Sequence, residues 1–161
     1  PKFVRGIRRN QGLESIAVAP AGSALAGSIV VIAERSLDAA GNHRGFILSG
    51  PQAGTFFIRR SDDFDISDAV FLPDGDLLIL ERRFSFSGGF AMRIRRIAGA
   101  SIAAGATVDG TVLMESGSGY QIDNMEGLAV RPGPAGTTLL TLISDDNNNL
   151  LQRTLLLEFV L

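Results

Sequence analysis

Short apolar runs separated by polar turn residues fill most of the chain, and helical periodicity is almost absent. Runs rich in Val, Ile, Leu and Phe and bounded by Gly, Pro, Asp, Asn and Ser are typical of antiparallel β-sheets. The pattern predicts strands at residues 15–20, 28–34, 45–50, 54–60, 68–73, 76–84, 91–98, 111–116, 127–132, 137–144 and 152–160. Residues 73–76 (PDGD) predict a hairpin turn in which Gly75 adopts a positive φ.

One sequence segment recurs at three places in the chain. Residues 14–20 (ESIAVAP) recur as residues 126–132 (EGLAVRP) and, more loosely, as residues 68–73 (DAVFLP). The acids that open these copies are Glu14, Asp68 and Glu126, separated by 54 and then 58 residues. Each copy is followed, 13 to 20 residues after its acid, by a second strand that ends in an acid. These second acids are Glu34, Glu81 and Asp145.

The repeat predicts a fold. A unit of about 55 residues with four short antiparallel strands has the size of one β-propeller blade. We therefore predict an all-β chain of three four-stranded blades, with units at 10–63, 64–121 and 122–161, forming half of a propeller of about six blades. Because the last unit has only three predicted strands, we expect a missing N-terminal half or a second copy of the chain to close the propeller.

The recurring acids suggest a metal site. The innermost strand of a propeller blade borders the central channel, so we predict that Glu14, Asp68 and Glu126 converge there. Clustered carboxylates require protons or a cation, and Ca²⁺, with about six to eight oxygen ligands, suits Asp, Glu and Asn better than zinc or copper does. Residues just upstream could supply further oxygens: Asn10, Asp123 and Asn124.

A structural role for these acids is the alternative. Each acid would then accept backbone hydrogen bonds where its strand begins. The second set of acids is weaker evidence for a metal, because an acid at the end of a strand is often only solvated. The pairs Glu34-Arg35 and Glu81-Arg82 also suit ion pairs at the rim.

Three further features carry candidate chemistry. Residues 144–149 (SDDNNN) offer oxygen ligands but lack the glycine and terminal Glu of an EF-hand, so a polar hairpin loop is the alternative. His43, the only histidine, lies in a predicted turn, and we expect it to be exposed. Alternating arginines either contact an anionic substrate or mark a solvated outer face; they are Arg93, Arg95 and Arg96.

Composition and charge exclude several classes of function. Fifteen basic and 17 acidic side chains give a net charge of −2, which argues against a nucleic-acid partner. The chain has no cysteine, which excludes thiol catalysis and zinc–thiolate sites. The most apolar stretch, residues 24–33, is about half as long as a membrane-spanning helix, so we expect no membrane partner. The sequence also contains no G-x-S-x-G nucleophile elbow, P-loop or dinucleotide-binding fingerprint.

Four segments together resemble the "esterase-like activity of phytase" family of phytase-like bacterial β-propeller domains. They are residues 10–20 (NQGLESIAVAP), 65–85 (DISDAVFLPDGDLLILERRFS), 123–130 (DNMEGLAV) and 142–149 (LISDDNNN). The resemblance covers the C-terminal half of the family domain. It implies a periplasmic or secreted protein with calcium-dependent ester or phosphoester chemistry. The positions that it implies for the site are Glu14, Asp68, Glu81, Arg82, Glu126, Asp145 and Asn147.

Two hypotheses about function follow. The first is a calcium-binding, phytase-like propeller whose complete form hydrolyses a small anionic or ester substrate. Its expected calcium ligands are Glu14, Asp68, Glu126, Asp145 and Asn147, and its catalytic candidates are Glu81 and Arg82. In the second hypothesis the propeller is a non-catalytic binding or scaffold module, and the acids are structural.

Overall fold

The computed structural model describes residues 12–86, 88–117 and 119–161. Over these ranges the chain is all-β and has no α-helix, so no helix there could span a membrane. The strands are β1 (Leu13–Val18), β2 (Ile29–Leu37), β3 (His43–Ile47), β4 (Gly54–Ile58), β5 (Asp65–Phe71), β6 (Leu77–Ser85), β7 (Gly89–Ile97), β8 (Thr107–Val108), β9 (Thr111–Ser116), β10 (Met125–Pro132), β11 (Thr138–Ser144) and β12 (Leu156–Val160). Two short 3-10 turns lie at Gly99–Ser101 and Pro134–Gly136.

The strands form three sheets. The first sheet has the order β1-β2-β3-β4, with antiparallel neighbours, and β8 adds to β4 in parallel. The second sheet, β5-β6-β7-β9, is antiparallel throughout, as is the third sheet, β10-β11-β12. Each sheet therefore begins with its earliest strand and mostly follows chain order.

The strand predictions are confirmed, with shifted ends. Every predicted strand is present, and in the described part of the chain the sequence pattern missed only the two-residue β8. The hairpin turn between β5 and β6 is also confirmed. The Gly75 backbone N–H donates to the Leu72 carbonyl (2.9 Å), the Leu72 N–H donates to the Asp76 carbonyl (2.8 Å), and Gly75 has a φ of 94°.

The second sheet is buried on both faces because it lies between the other two. Leu77 and Ile79 of β6 pack towards the first sheet, whereas Leu78 and Leu80 pack towards the third. All four side chains are fully buried, and each contributes about 1.5–3 kcal/mol relative to an exposed position. This burial on both faces explains the continuous apolar run of β6. A strand with one solvated face alternates apolar and polar residues, whereas a strand covered on both faces is apolar along its length.

The first strands of the three sheets are neighbours. β5 contacts β1 on one side and β10 on the other. Ser67 of β5 donates its hydroxyl hydrogen to the Met125 carbonyl (2.9 Å), and the Leu128 backbone N–H donates to Asp68 Oδ2 (2.7 Å). These contacts bring the beginnings of all three sheets to one region of the molecule.

Candidate functional site

Each first strand carries a β-bulge at the corresponding position. The register shifts by one residue near the start of β1, β5 and β10, and the extra residues are Glu14, Ser67 and Glu126. The structural counterpart of Glu14 and Glu126 is therefore Ser67, one residue before the predicted Asp68. Alignment on the proline six residues later would have found this, because Pro20, Pro73 and Pro132 follow the three bulge residues at equal spacing.

In the second strand of the second sheet, the predicted acid is also one residue away from the structurally equivalent position. The residues paired opposite the start of each bulge are Ala33, Glu81 and Ser144. The next residues in the chain are therefore equivalent, and they are Glu34, Arg82 and Asp145. The first and third sheets thus carry acids at these positions, whereas the second sheet carries Ser67 and a cation.

Arg82 lies between acids from the two neighbouring sheets. Its Nη2 donates to Glu34 Oε1 of the first sheet at 2.9 Å. Its Nε lies 3.2 Å from Glu126 Oε1 of the third sheet, which is an ion-pair distance, but the two atoms are not aligned for a hydrogen bond. Asn124 Nδ2 donates to the same Glu126 oxygen at 2.7 Å. We call these four residues, together with Glu14, whose negative charge acts on Glu126, the Arg82 cluster: Glu14, Glu34, Arg82, Asn124 and Glu126.

Glu126 has an unusual electrostatic environment. Burial raises its pKa above that of an ordinary glutamate, and the negative charges of Glu34 and Glu14 act in the same direction. The positive charge of Arg82 and the hydrogen bond from Asn124 oppose this shift without cancelling it. Asn124 is itself buried, and its Oδ1 has no hydrogen-bond partner among the described residues. The cluster therefore combines a base with a raised pKa, a fixed cation and an unused acceptor.

The described residues of this cluster do not by themselves fit the calcium ion that the family resemblance implies. In the described ranges, no group of three or more Asp, Glu or His side chains is arranged to hold a metal ion. The guanidinium of Arg82 already lies between Glu34 and Glu126, where it supplies the positive charge that the carboxylates need. Asn10 lies outside the described residues, and calcium binding stays a prediction.

Asp145 and Asn147 lie in a polar loop between β11 and β12. The Asn147 backbone N–H donates to Asp145 Oδ1 (2.9 Å), and Asn147 has a φ of 50°. The Asp145 N–H donates to the Asn124 carbonyl (3.0 Å), which connects this loop to the Arg82 cluster. Both side chains are exposed. Asp123, also proposed as an oxygen donor, instead accepts the Arg153 N–H of this loop (2.9 Å).

Asp68 has a different environment from Glu14 and Glu126. Its two carboxylate oxygens accept the backbone N–H groups of Ala69 (2.8 Å) and Leu128 (2.7 Å). Burial raises the pKa of Asp68, and these two hydrogen bonds partly offset the shift. The contacts of Asp68 therefore match the structural alternative, in which the acid fastens one sheet to the next.

Glu81 faces away from Arg82 and is fully buried. It accepts hydrogen bonds from Arg93 Nε (2.8 Å) and from Arg95 Nε and Nη2 (2.8 and 2.5 Å). Arg93 and Arg95 are each only 2 % exposed, so the expectation that they mark a solvated outer face is wrong. Arg96 does reach solvent, where it pairs with two acids of the hairpin turn. Because Glu81 has no exposed surface and is paired with two buried arginines, its contacts indicate a structural role.

The predicted neighbour ion pairs are also wrong, because adjacent residues of a strand point to opposite faces. Glu34 pairs with Arg82 of the next sheet, while Arg35 pairs with Asp65 (2.8 Å). Glu81 likewise pairs across its sheet rather than with the residue that follows it. The ion pairs therefore link strands and sheets instead of lying along the rim.

His43 corrects a further expectation. It is the first residue of β3 and is fully buried, not exposed in a turn. Its Nδ1 lies 2.8 Å from the Glu34 carbonyl oxygen and its Nε2 lies 3.3 Å from that of Phe64. Burial lowers the pKa of His43, so the ring is uncharged at neutral pH. An uncharged imidazole has a single N–H, so His43 donates to only one of these two carbonyls, and its ring lies between β2 and the segment that precedes β5.

Comparison with known proteins agrees with the sequence resemblance. The family model for phytase-like proteins, described as "esterase-like activity of phytase", matches residues 1–148. No curated protein and no solved structure matches the chain significantly. The family match includes the first two sheets, β10 and β11 of the third sheet, and the Arg82 cluster, and it ends before β12. The chain therefore belongs to the phytase-like family named for the esterase-like activity of phytase.

Proposed function

We propose that the chain is part of a β-propeller enzyme that hydrolyses an ester, with the Arg82 cluster as its functional centre. The propeller arrangement is supported by three successive sheets whose first strands are neighbours and share a bulge at one position. In a propeller these strands line the central channel. The cluster would then lie at one end of that channel, where a substrate can enter.

The chemistry that suits this cluster is activation of water. The Glu126 carboxylate would accept a proton from a water molecule while the water oxygen attacks the carbon or phosphorus atom of the ester. Because burial raises the pKa of Glu126, it is a stronger base than an exposed glutamate. Arg82, held in position by Glu34, would stabilise the negative charge that develops on the ester oxygen. The bond to the alkoxy group would then break, and that group would take the proton back from Glu126 and leave as the alcohol.

A calcium ion remains part of the proposal only as a ligand of the complete protein. Ca²⁺ takes about six to eight oxygens, so ligands from outside the described residues would be needed. Glu14 and Asn124 Oδ1 are the described groups with the most suitable oxygens. Bound calcium would supply positive charge for an anionic substrate, while Glu126 and Arg82 keep the roles given above.

The observation that carries this proposal is the convergence of Glu34, Arg82 and Glu126 from three different sheets. Its test is turnover of 4-nitrophenyl acetate, butyrate and phosphate, with and without Ca²⁺. We expect Glu126→Gln to reduce kcat by about 10²-fold or more, and the acid side of the pH profile to vanish with it. Glu158→Gln, a change of an exposed acid on the third sheet, is the matched control. Equal rates for Glu126→Gln and the control would refute the role of Glu126.

A non-catalytic binding or scaffold module is the second candidate, and a specific observation favours it. The acids of the site are already paired within the chain: Glu34 and Glu126 with Arg82, and Asp68 with backbone N–H groups. Such internal pairing is what a structural role requires. Absence of turnover for every ester, with or without Ca²⁺, would favour this candidate.

Closure of the proposed ring would come from a missing N-terminal half or a second copy. Ile16 and Val18 are exposed on the outward face of the first sheet, and Leu156 and Val160 on that of the third. Exposed apolar faces favour association. We expect sedimentation to detect a dimer of this 161-residue chain, and a strictly monomeric 17.0 kDa species would contradict association of two copies.

Export to the periplasm or the medium is also proposed, on the basis of family membership alone. Fractionation of cells that express the native gene, followed by sequencing of the mature N-terminus, tests it. Recovery of the protein in the cytoplasm with an uncleaved N-terminus would contradict export.

A further inference from the structure

We infer that a cleft between the first and second sheets binds an aromatic carboxylate, with the carboxylate against its arginines and the aromatic ring against Phe84. The cleft has a volume of about 400 Å³. We call it the arginine cleft, and its main lining residues are Arg35, Arg60, Asp65, Arg82, Arg83 and Phe84. Binding there does not require hydrolysis, so this proposal goes beyond the proposed function and is tested separately from the role of Glu126.

The cleft is present because one hairpin continues past the strand beside it. β5 begins at Asp65, which pairs with Arg82 of β6. Beyond this point β6 and β7 continue together as far as the pair of Ser85 with Gly89. Residues 83–85 of β6 therefore extend past β5 and border the cleft opposite the segment before β5 and Arg35 of β2. The volume of the cleft is within the range of about 300–1,000 Å³ that is typical of small-molecule sites.

Asp65 fixes two of the arginines beside the cleft. Its side chain is buried, and its Oδ2 accepts a hydrogen bond from Arg35 Nε (2.8 Å). Its Oδ1 accepts one from Arg60 Nε (3.1 Å). The two Nη groups of Arg35 have no hydrogen-bond partner among the described residues. Arg35 is therefore held in place by one nitrogen and keeps the other two for a ligand.

Arg83 is the arginine of the cleft that most needs an anion. It is half-buried, and no carboxylate of the described residues lies within ion-pair distance of it. Its Nη1 donates to the Asp62 carbonyl (2.9 Å), and its guanidinium carbon lies 4.7 Å from the centre of the Phe64 ring. These two contacts orient the guanidinium and leave Nε and Nη2 unused. Two N–H groups of one guanidinium match the two oxygens of a carboxylate.

The charge of the cleft fits a single negative charge. Arg82 is already paired with Glu34 and Glu126. The other three arginines of the cleft face only Asp65 and Asp63, and the Asp63 side chain is 88 % exposed. One positive charge is therefore in excess. A carboxylate supplies one negative charge, whereas a phosphate dianion would supply more than the cleft can neutralise.

Phe84 provides an aromatic surface next to these arginines. It lines the cleft, follows Arg83 in the chain and is 55 % exposed. Its ring centre lies 4.9 Å from that of Phe90 and 5.7 Å from that of Phe86, so two neighbouring rings support it. Aromatic rings prefer offset-stacked or edge-to-face contact with other aromatic rings. A ligand that carries a carboxylate on an aromatic ring would therefore contact Arg83 and Phe84 together.

Titration of 2-naphthoate into the 161-residue chain, followed by the fluorescence anisotropy of the ligand, tests the proposal. The chain has no tryptophan and a single tyrosine, so its own fluorescence is weak. Two competitors separate the contributions of charge and ring. We expect 2-naphthamide, which has no charge, to bind at least about tenfold more weakly than 2-naphthoate. We expect cyclohexanecarboxylate, which has no aromatic ring, to bind at least about threefold more weakly.

Two variants assign these effects to residues. Arg83→Gln should weaken the binding of 2-naphthoate by at least about tenfold. Arg131→Gln is the matched control, because Arg131 is an exposed arginine of the third sheet that pairs with Glu158, and its effect should be below about twofold. Phe84→Leu should remove the preference for 2-naphthoate over cyclohexanecarboxylate. Urea midpoints show whether each variant is folded, and the ligand comparison on the wild type does not depend on them.

NMR locates the ligand. We expect 2-naphthoate to shift the backbone amide signals of residues 83–85. Shifts of the Met92 and Met114 methyl groups alone would instead place it in the apolar cavity between the second and third sheets and would overturn the proposal. Equal affinities for 2-naphthoate and 2-naphthamide, or equal effects of Arg83→Gln and Arg131→Gln in folded proteins, would also overturn it. Displacement of 2-naphthoate by inorganic phosphate at lower concentrations than by benzoate would assign the cleft to phosphate and refute the carboxylate.

Discussion

Replacement of Glu81 by Gln is expected to destabilise the protein strongly, although the change is nearly isosteric. Glu81 is fully buried and accepts three hydrogen bonds from two buried guanidiniums. Gln removes the negative charge and presents an NH₂ group to N–H donors. Arg93 and Arg95 would then be buried without their common counter-charge.

The expected loss of stability depends on the acids that still pair with each arginine after the substitution. Breaking a buried ion pair by removal of one partner costs about 3–5 kcal/mol. Arg93 keeps Asp62 (3.1 Å) and Arg95 keeps Asp109 (2.8 Å), and both of these acids are largely exposed. We therefore expect a loss at the lower end, about 3 kcal/mol. For a chain of this size, such a loss lowers the melting temperature by about 6–12 °C.

Urea unfolding followed by circular dichroism measures this loss. Glu115→Gln is the matched control, because Glu115 lies opposite Arg93 in the same sheet but is exposed, and its effect should be below about 0.5 kcal/mol. A triple variant with Met at positions 81, 93 and 95 should be more stable than Glu81→Gln, because it leaves no buried charge. A loss below about 1 kcal/mol for Glu81→Gln would refute the reasoning.

Three further predictions concern other sites. Asp68→Asn should accelerate amide exchange at Leu128, because the amide side chain cannot accept both backbone N–H groups; unchanged exchange would contradict the link between sheets. Burial lowers the pKa of His43, so the unfolded chain takes up the proton first, and stability is lost as pH falls below the ordinary histidine value of about 6.5. The urea midpoint of the wild type should fall more between about pH 7.5 and pH 5.5 than that of His43→Gln, and equal falls would exclude this contribution. Isothermal titration should detect Ca²⁺ binding that is lost in the Glu14→Gln, Glu126→Gln double variant; equal binding by both proteins would remove these acids from any calcium site.

Sequence periodicity predicted the sheets well because each strand leaves a local signal. The continuous apolar run of β6, for example, indicates that both faces of this strand are buried, and burial acts on each residue separately. The two residues of β8 are too few for any period, so their pairing with β4 had no signal. Recurrence of the acids also predicted that Glu14 and Glu126 lie near each other, and the negative charge of Glu14 does act on Glu126.

The errors at Asp68 and Glu81 share one cause, which is the alternation of side chains between the two faces of a strand. A shift of one residue reverses the face, so Asp68 in place of Ser67 and Glu81 in place of Arg82 each point to the wrong side. Bulges at these positions decide which residue points where, and a bulge depends on partner strands distant in sequence. The contact of Glu34 with Arg82 joins residues 48 positions apart in neighbouring sheets, so no local pattern predicts it.

The sequence by itself determined that this chain is all-β, where its strands lie, that its acids recur with the strand repeat, and that it resembles the phytase-like family. These properties are local or are shared by aligned segments, so they can be read along the chain. Only the tertiary structure decided the charge partners: Arg82 lies between one acid of the first sheet and one of the third, and Glu81 pairs with two buried arginines. It also decided that His43 is buried in the core. Such partners are set by the packing of three sheets against each other, and burial and Coulomb interaction depend on distances in space rather than on spacing in sequence.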